Sequence, residues 1–497
     1  MKKAMGQIFS GNMLSKVLGL IREILMAKFF GTGDVNGAYR IAQTGTLVPI
    51  NFMTSDSLNS AFIPLYKKFL TEDSLRAATF KLCMFVFFSL VSLLIFIILY
   101  FKTEYWVQIM APGLSESTRE LSISLLKIMA ICSPFYLCSA LLNYISMVHG
   151  DYKPISMRAS IQNVGMLAGV IAAYYYNDYR LLAWGFTGSY IFFSVWVIIR
   201  AKKKSILNLP RQVLFSEVKL VMGSFWITLR PLLILPILLQ GNITLERALA
   251  SLISIDVVSA LDYARFITDT VVFILSVPIA FAGLSEWSVQ HPEVVREKIK
   301  IIYNWLALLV INMSFFIFFY AKDIVVLLFM RGEFNAHSVN VTTETIQGMC
   351  IGLWAQVIGY IFIKALSAHL QNRQVLVVMI IALISNALVN ILTYKFWGAF
   401  GLGVGNSVYS VVMLLISGWY LKLFKELLPP IIKIAAGLCI YTMFISISHC
   451  FYTEVQSVLI RLIINGFIFF IFAILWAMIF PLYRKGILNA ISKKKSR

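Results

Sequence analysis

Three charges stand in the middle of an apolar stretch. Residues 5–30, MGQIFSGNMLSKVLGLIREILMAKFF, are long enough to cross a bilayer as a helix, yet Lys16, Arg22 and Glu23 interrupt them. Each charge at the hydrocarbon centre costs on the order of 2.5–3.5 kcal/mol, so such residues persist where they face a wet cavity or a partner. Asn12, Lys16, Gly19 and Glu23 recur at i, i+4, i+7 and i+11, one helix face, with Arg22 flanking it. That face is expected to line a polar path inside a membrane protein.

A second stripe, Asp256, Ser259, Asp262, Arg265 and Asp269, follows near i, i+3, i+6, i+9 and i+13. It suits a polyanionic headgroup through Arg265, or a coupling cation through Asp256, Asp262 and Asp269. Arg230 precedes Pro231 and sits near Pro236; two prolines in one span predict a bend, since each removes a backbone bond, and a bent span suits a gate. Residues 39–64 hold Arg40, Gln43, Thr44, Asn51, Ser55, Asp56 and Asn59, too polar a set to face lipid. The competing reading is that these charges only pair with one another to pin helices. Lys28 and Arg40, near the outer ends of their spans, read as snorkelling residues, and Asp56 as a solvated residue at an inner end.

The elements that position these groups follow from composition. Of 497 residues, 59% are hydrophobic and 13% charged, with mean hydropathy +0.82, more apolar surface than a soluble chain of this size could cover. In lipid every backbone group must be satisfied internally, and long apolar runs favour helices over a barrel. The class is an all-α polytopic membrane protein. The net charge of +20 would suggest nucleic acid in a soluble protein. Here it falls in short loops, where it sets topology and meets anionic membrane lipid. No nucleic-acid partner is expected.

Six cysteines lack CxxC or metal spacing, and no metal or other cofactor is expected. GxGxxG, Walker A, HExxH and GxSxG are missing in suitable context, and outer loops are short, so the chain does not read as an enzyme. The first segment has no small-residue cleavage site and is expected to be retained.

Fourteen apolar segments lie near 5–30, 39–64, 77–101, 120–147, 155–176, 180–199, 217–240, 257–284, 301–320, 342–367, 374–394, 399–421, 430–449 and 457–482. Every second connection is basic: Lys67, Lys68, Arg76 and Lys81; Lys153 and Arg158; Arg200, Lys202, Lys203, Lys204 and Arg211; Arg296, Lys298 and Lys300. With Lys2, Lys3 and the basic tail from Arg484 to Arg497, this places both termini in the cytoplasm. The chain also partly resembles itself. Ala61–Leu65 aligns with Ala280–Leu284, and Gly113 with Gly332, both 219 positions apart; Ile161–Asn163 matches Ile384–Asn386 at 223. The expectation is two six-helix lobes in a parallel repeat, 1–211 and 212–425, with two further helices and a basic tail in 426–497. Substrate would lie between rocking lobes.

Ser15–Glu23 (SKVLGLIRE) followed by Phe29–Gly31, Ser60–Pro64, Met110–Gly113, Tyr263–Arg265 and Arg331–Phe334 resemble, in order, the motifs of the MurJ (MviN) lipid II flippases, within the MATE-like exporter superfamily. The resemblance runs from about residue 5 to 425. It implies a bacterial cytoplasmic-membrane flippase that carries an undecaprenyl-pyrophosphate-linked saccharide outward, with cell-wall or polysaccharide synthesis enzymes as further partners. It places Lys16 where the family usually has arginine, matches Arg22 to an arginine of the pattern, and aligns Asp269 with an acidic position. It departs from the pattern at Gly37, at Ile50 or Asn51, and at Phe266 beside Arg265. Two rival readings are an exporter of O-antigen or exopolysaccharide units, which these departures favour, and a cation-coupled small-molecule antiporter, which would need an acidic cavity. A third is a scaffold that recruits cell-wall enzymes without transport.

Overall fold

The computed structural model describes residues 2–54, 56–207, 214–448, 457–481 and 483–484. Ser55, the side chain of Asp56, Arg211, Cys450, the side chains of Lys2 and Lys3, and the tail beyond Arg484 lie outside the described residues. Among the described residues all regular structure is helical. Among the described residues eight helices are long and apolar enough to cross a membrane, or ten if each of two bent pairs counts as one span.

The chain packs as two compact units, Met1–Ser259 with Arg331–Phe334, and Ala260–Met330 with Asn335–Arg497. The first unit contains α1 (Lys2–Phe30), α2 (Asp34–Met53), α3 (Asp56–Glu72), α4 (Ser74–Phe101), α5 (Thr103–Met110), α6 (Glu116–Ala130), α7 (Cys132–Val148), α8 (Lys153–Tyr176), α9 (Arg180–Lys203), α10 (Phe215–Leu229) and α11 (Ile234–Ile253). The boundary falls inside α12 (Ile255–Leu275). The second unit continues with α13 (Val277–Trp287), α14 (Pro292–Phe319), α15 (Ala321–Phe329), α16 (Ala336–Ala368), α17 (Asn372–Tyr420), α18 (Phe424–Ser448) and α19 (Val458–Ile479).

Several expected spans are broken. The segment expected over 39–64 falls in two helices, α2, which ends at Met53, and α3, which starts at Asp56. The segment around Arg230 bends by 50° at a one-turn 3-10 helix, Arg230–Leu232, as its prolines require; α11 then runs on to Ile253, beyond the expected end at 240. A bend of 43° also separates α6 from α7, within the segment expected over 120–147.

The order of elements recurs about 220 positions later, as a duplicated architecture would. Both α4 and α14 have 28 residues and lead into short helices, α5 and α15. The helices α6 and α16 then start on side-chain caps: Ser115 Oγ accepts from Thr118 N and Asn335 Oδ1 from Ser338 N. Asn177 (φ 51°) ends α8, and Gly398 (φ 50°) breaks α17 into two helices.

Several motifs that carry the family resemblance are corners of this fold. Gly31 (φ +56°) and Gly332 (φ +57°) bring two turns together, and Glu333 N donates to Lys28 O at 3.0 Å. A Cβ on Gly31 would stand 2.6 Å from Glu333 O, and one on Gly113 2.2 Å from Ser251 O. No side chain fits either place, and at Gly31 the left-handed backbone itself favours glycine.

At the end of α7, Asp151 is buried and clamped. Arg200 Nε and Nη2 donate to its two carboxylate oxygens at 2.7 and 2.9 Å, and Lys204 Nζ lies 2.9 Å away. Burial alone would push the Asp151 carboxyl up, but these cations hold it below the usual carboxylate range. A carboxyl lowered on folding stabilises above its unfolded value and loses that contribution as pH falls through its folded value. Asp151→Asn is therefore expected to cost on the order of 1 kcal/mol at pH 7, with the difference vanishing well below about pH 4. Melting temperatures of the two proteins at both pH values check this.

Candidate functional site: a buried charge cluster in the first unit

The polar stripe of α1 is its inward side. Gly19 and Glu23 are buried and Asn12 and Lys16 half-buried, while Met13, Leu14, Val17 and Ile21 are exposed. Helix α1 packs chiefly on α8, and α2 closes the third side at the level of Glu23.

Glu23 is 2% exposed and is shared by two arginines. Arg22 Nη2 donates to its Oε1 at 2.5 Å, and Arg40 Nη2 donates to its Oε2. Arg40 Nη1 also reaches Oε1 at 3.3 Å, and Arg40 Nε donates to Asn36 Oδ1 at 3.1 Å. Asn36 Nδ2 in turn donates to Gly31 O at 2.6 Å, tying the cluster to the α1–α2 corner. On the other side Arg22 Nη1 donates to Asn163 Oδ1 at 2.8 Å and lies 3.3 Å from Met166 Sδ. Asn163 Nδ2 donates to Ser15 O and Oγ, both at 3.0 Å. Arg22 retains 16% side-chain exposure against 4% for Arg40, so Arg22 is the more accessible of the two arginines.

Arg40 is a correction: it does not snorkel, being 3% exposed and held by Glu23 and Asn36. Lys28 is exposed, its ammonium 5.6 Å from the Phe29 ring.

The 256–269 stripe is divided in character. Asp256 stands in the first turn of α12, where a negative charge complements the helix dipole, and accepts from Thr32 Oγ1 at 2.5 Å. Ser259 is fully buried. In the second unit Asp262 and Arg265 are half-buried and Asp269 exposed. Arg230 is exposed at the break between α10 and α11. Among the described residues no group of three or more His, Cys, Asp or Glu side chains could hold a metal ion.

Asn163, Gln162 and Arg158 of α8 were not singled out from sequence as site residues. Asn163 and Gln162 served only to mark the repeat, and Arg158 only to set topology. Their signal is that Arg158, Gln162 and Met166 recur at i, i+4 and i+8 in a helix without any acidic residue.

Residues 26–474 match the family model described as lipid II flippase MurJ. A probable lipid II flippase MurJ of Buchnera aphidicola subsp. Schizaphis graminum is 22% identical over 431 residues, 83% of this chain and 81% of that protein. The lipid II flippase MurJ of Burkholderia cenocepacia is 23% identical over 381 residues, 73% of this chain and 71% of that one. A solved structure titled lipid II flippase MurJ, inward closed conformation, superposes with TM-score 0.81 at 21% identity, covering 96% of this chain and 99% of that one. An inward-facing multidrug resistance MATE family transporter of the MOP superfamily superposes with TM-score 0.65 at 14% identity, covering 83% and 96%, and shares the fold. Matched by that family model over most of its length and all-helical throughout its described residues, the chain belongs to the MurJ lipid II flippase family, whose members are membrane transporters rather than enzymes.

Proposed function

We propose that this chain moves an undecaprenyl-pyrophosphate-linked saccharide, foremost the peptidoglycan precursor lipid II, from the inner to the outer leaflet of a bacterial cytoplasmic membrane by alternating access. The observation that carries this reading is Arg22, held in a membrane-spanning helix by Glu23 and Asn163 with 16% of its side chain still exposed. A guanidinium offers a planar fork that matches phosphate oxygens. Lys16, two turns earlier on the same helix, adds a point charge, and Asn12 a neutral donor. The 50° break at Arg230–Leu232 is the proposed bend of the gate.

The same reading includes fourteen spans with both termini inside, and lobes at 1–211 and 212–425. It gives Arg265 a headgroup role and Asp256, Asp262 and Asp269 a cation-coupling role. A closely related reading, export of an O-antigen or exopolysaccharide unit, is favoured by Ile50. This side chain is fully buried where the family has a basic group nearby.

The test is complementation of bacteria depleted of their own lipid II flippase. The parent chain is expected to restore growth and Arg22→Ala to lower headgroup translocation about tenfold or more, the loss of one charge-assisted phosphate contact. Well-inserted parent protein that fails to rescue shifts the substrate to another undecaprenyl-linked saccharide. Full transport by Arg22→Ala removes the cationic site from the mechanism.

A further inference from the structure

Arg158 is a cation in an unusual place. It lies five residues, about 7.5 Å, from the start of α8, close enough to reach the membrane surface by snorkelling. Its guanidinium instead sits 5.9 Å from the ring centroid of Tyr136. Tyr136 is twelve residues, about 18 Å, from the end of α7 that adjoins the start of α8. The charge therefore points inward, away from the surface. Tyr136 is in turn stacked on Tyr190 of α9, centroids 4.8 Å apart, and its hydroxyl donates to Asn51 Oδ1 at 3.5 Å.

No carboxylate among the described residues pairs with Arg158. A ring face offers roughly 0.5–2 kcal/mol to a cation. That does not match the cost on the order of 2.5–3.5 kcal/mol of a charge inside a membrane span. One turn further along the same face, Gln162 is 9% exposed, and its Nε2 has no hydrogen-bond partner among the described residues. A half-buried guanidinium and an unused amide donor thus stand one turn apart. The next residue, Asn163, already holds Arg22.

We propose that Arg158 and Gln162 form a second anion-binding station, distinct from Arg22, that takes a phosphate oxyanion of a prenyl-pyrophosphate headgroup. This rests on the flippase reading and adds to it a position along α8. The guanidinium fork binds two oxygens and the Gln162 amide a third. The Tyr136–Tyr190 pair keeps the fork turned inward.

The experiment measures binding of farnesyl pyrophosphate, inorganic pyrophosphate and uncharged farnesol to the full chain in lipid nanodiscs. Arg158→Gln is expected to weaken farnesyl pyrophosphate about tenfold, or 1.4 kcal/mol, with farnesol unchanged. Arg158→Lys, which keeps the charge without the fork, is expected to lose a few-fold. An equal loss for inorganic pyrophosphate identifies a general phosphate station; a loss confined to farnesyl pyrophosphate identifies a lipid headgroup. Unchanged affinity in Arg158→Gln, with Arg22→Ala weakened, overturns the second station and leaves the flippase reading intact. A parent that binds neither pyrophosphate overturns both. Should Arg158→Gln fail to fold, Arg158→Lys decides, and affinity equal to the parent overturns the proposal.

Discussion

Glu23→Ala is expected to destabilise the protein by about 3–5 kcal/mol, the cost of breaking a buried ion pair from one side. The substitution leaves the Arg22 and Arg40 guanidinium groups facing each other with no carboxylate between them. Arg40 cannot reach solvent to compensate: it is 3% exposed, with its Nε held by Asn36. Arg22 keeps Asn163 and a wet side, so the strain falls mainly on α2. The measurement is the melting temperature and the monodisperse fraction of the solubilised protein. The double change Glu23→Gln with Arg40→Gln removes one charge of each sign and is expected to recover much of the loss, because the deeply buried guanidinium goes with the carboxylate while Arg22 keeps Asn163 and its exposure. A Glu23→Ala protein that melts like the parent would show that the arginines are satisfied without it. The double variant also tests whether Glu23 and Arg40 only pin helices. A folded double variant that still transports would make those two structural, leaving Arg22 to its own substitution. A folded one that does not would give Glu23 or Arg40 a part in transport.

Gly352→Leu is expected to cost about 3 kcal/mol or more through overpacking at a helix contact that has no slack. In the second unit α16 and α17 form the most extensive helix pair, and small residues let their backbones touch. A Cβ at Gly352 would lie 2.5 Å from both Cα and O of Ser407, and one at Gly348 2.3 Å from Phe400 O. Backbone atoms cannot swing aside as a side chain does, so the helices must part. Parting them also strands a hydrogen-bond knot. Ser407 Oγ accepts from Gly352 N at 2.7 Å and lies 2.6 and 2.9 Å from the carbonyls of Gly348 and Met349, to which it donates. Gly223→Leu, where a Cβ meets nothing within 4 Å, is the control and is expected to be near neutral. Equal expression and melting of the two leucine variants would show that the α16–α17 contact tolerates separation.

Some of this was legible before any coordinates. Hydropathy requires bilayer-spanning helices because the composition leaves no soluble alternative, and α4, α9, α14 and α19 follow the apolar runs closely. The α1 stripe was legible because helical periodicity is local: residues four apart share a face wherever the helix is placed. The bend at Arg230–Leu232 was legible for the same kind of reason, since Pro231 and Pro236 remove hydrogen bonds whatever packs around them. The motifs of the resemblance were visible as well. That Gly31 and Gly332 meet at one corner was not, since the two are brought together by chain that runs through both units.

What the sequence determined by itself was the class, the helical segments and which face of α1 is polar, all consequences of local composition and period. Only the tertiary structure decided who meets whom. Arg40, near the start of a helix, reads as a surface cation until α1 places Glu23 against it. Arg22 is held by a residue 141 positions away. Arg158, one of many basic residues near a loop, turns inward only because Tyr136 of another helix stands over it. Charge pairing is a pairwise distance, and no periodicity within one helix encodes the distance to another.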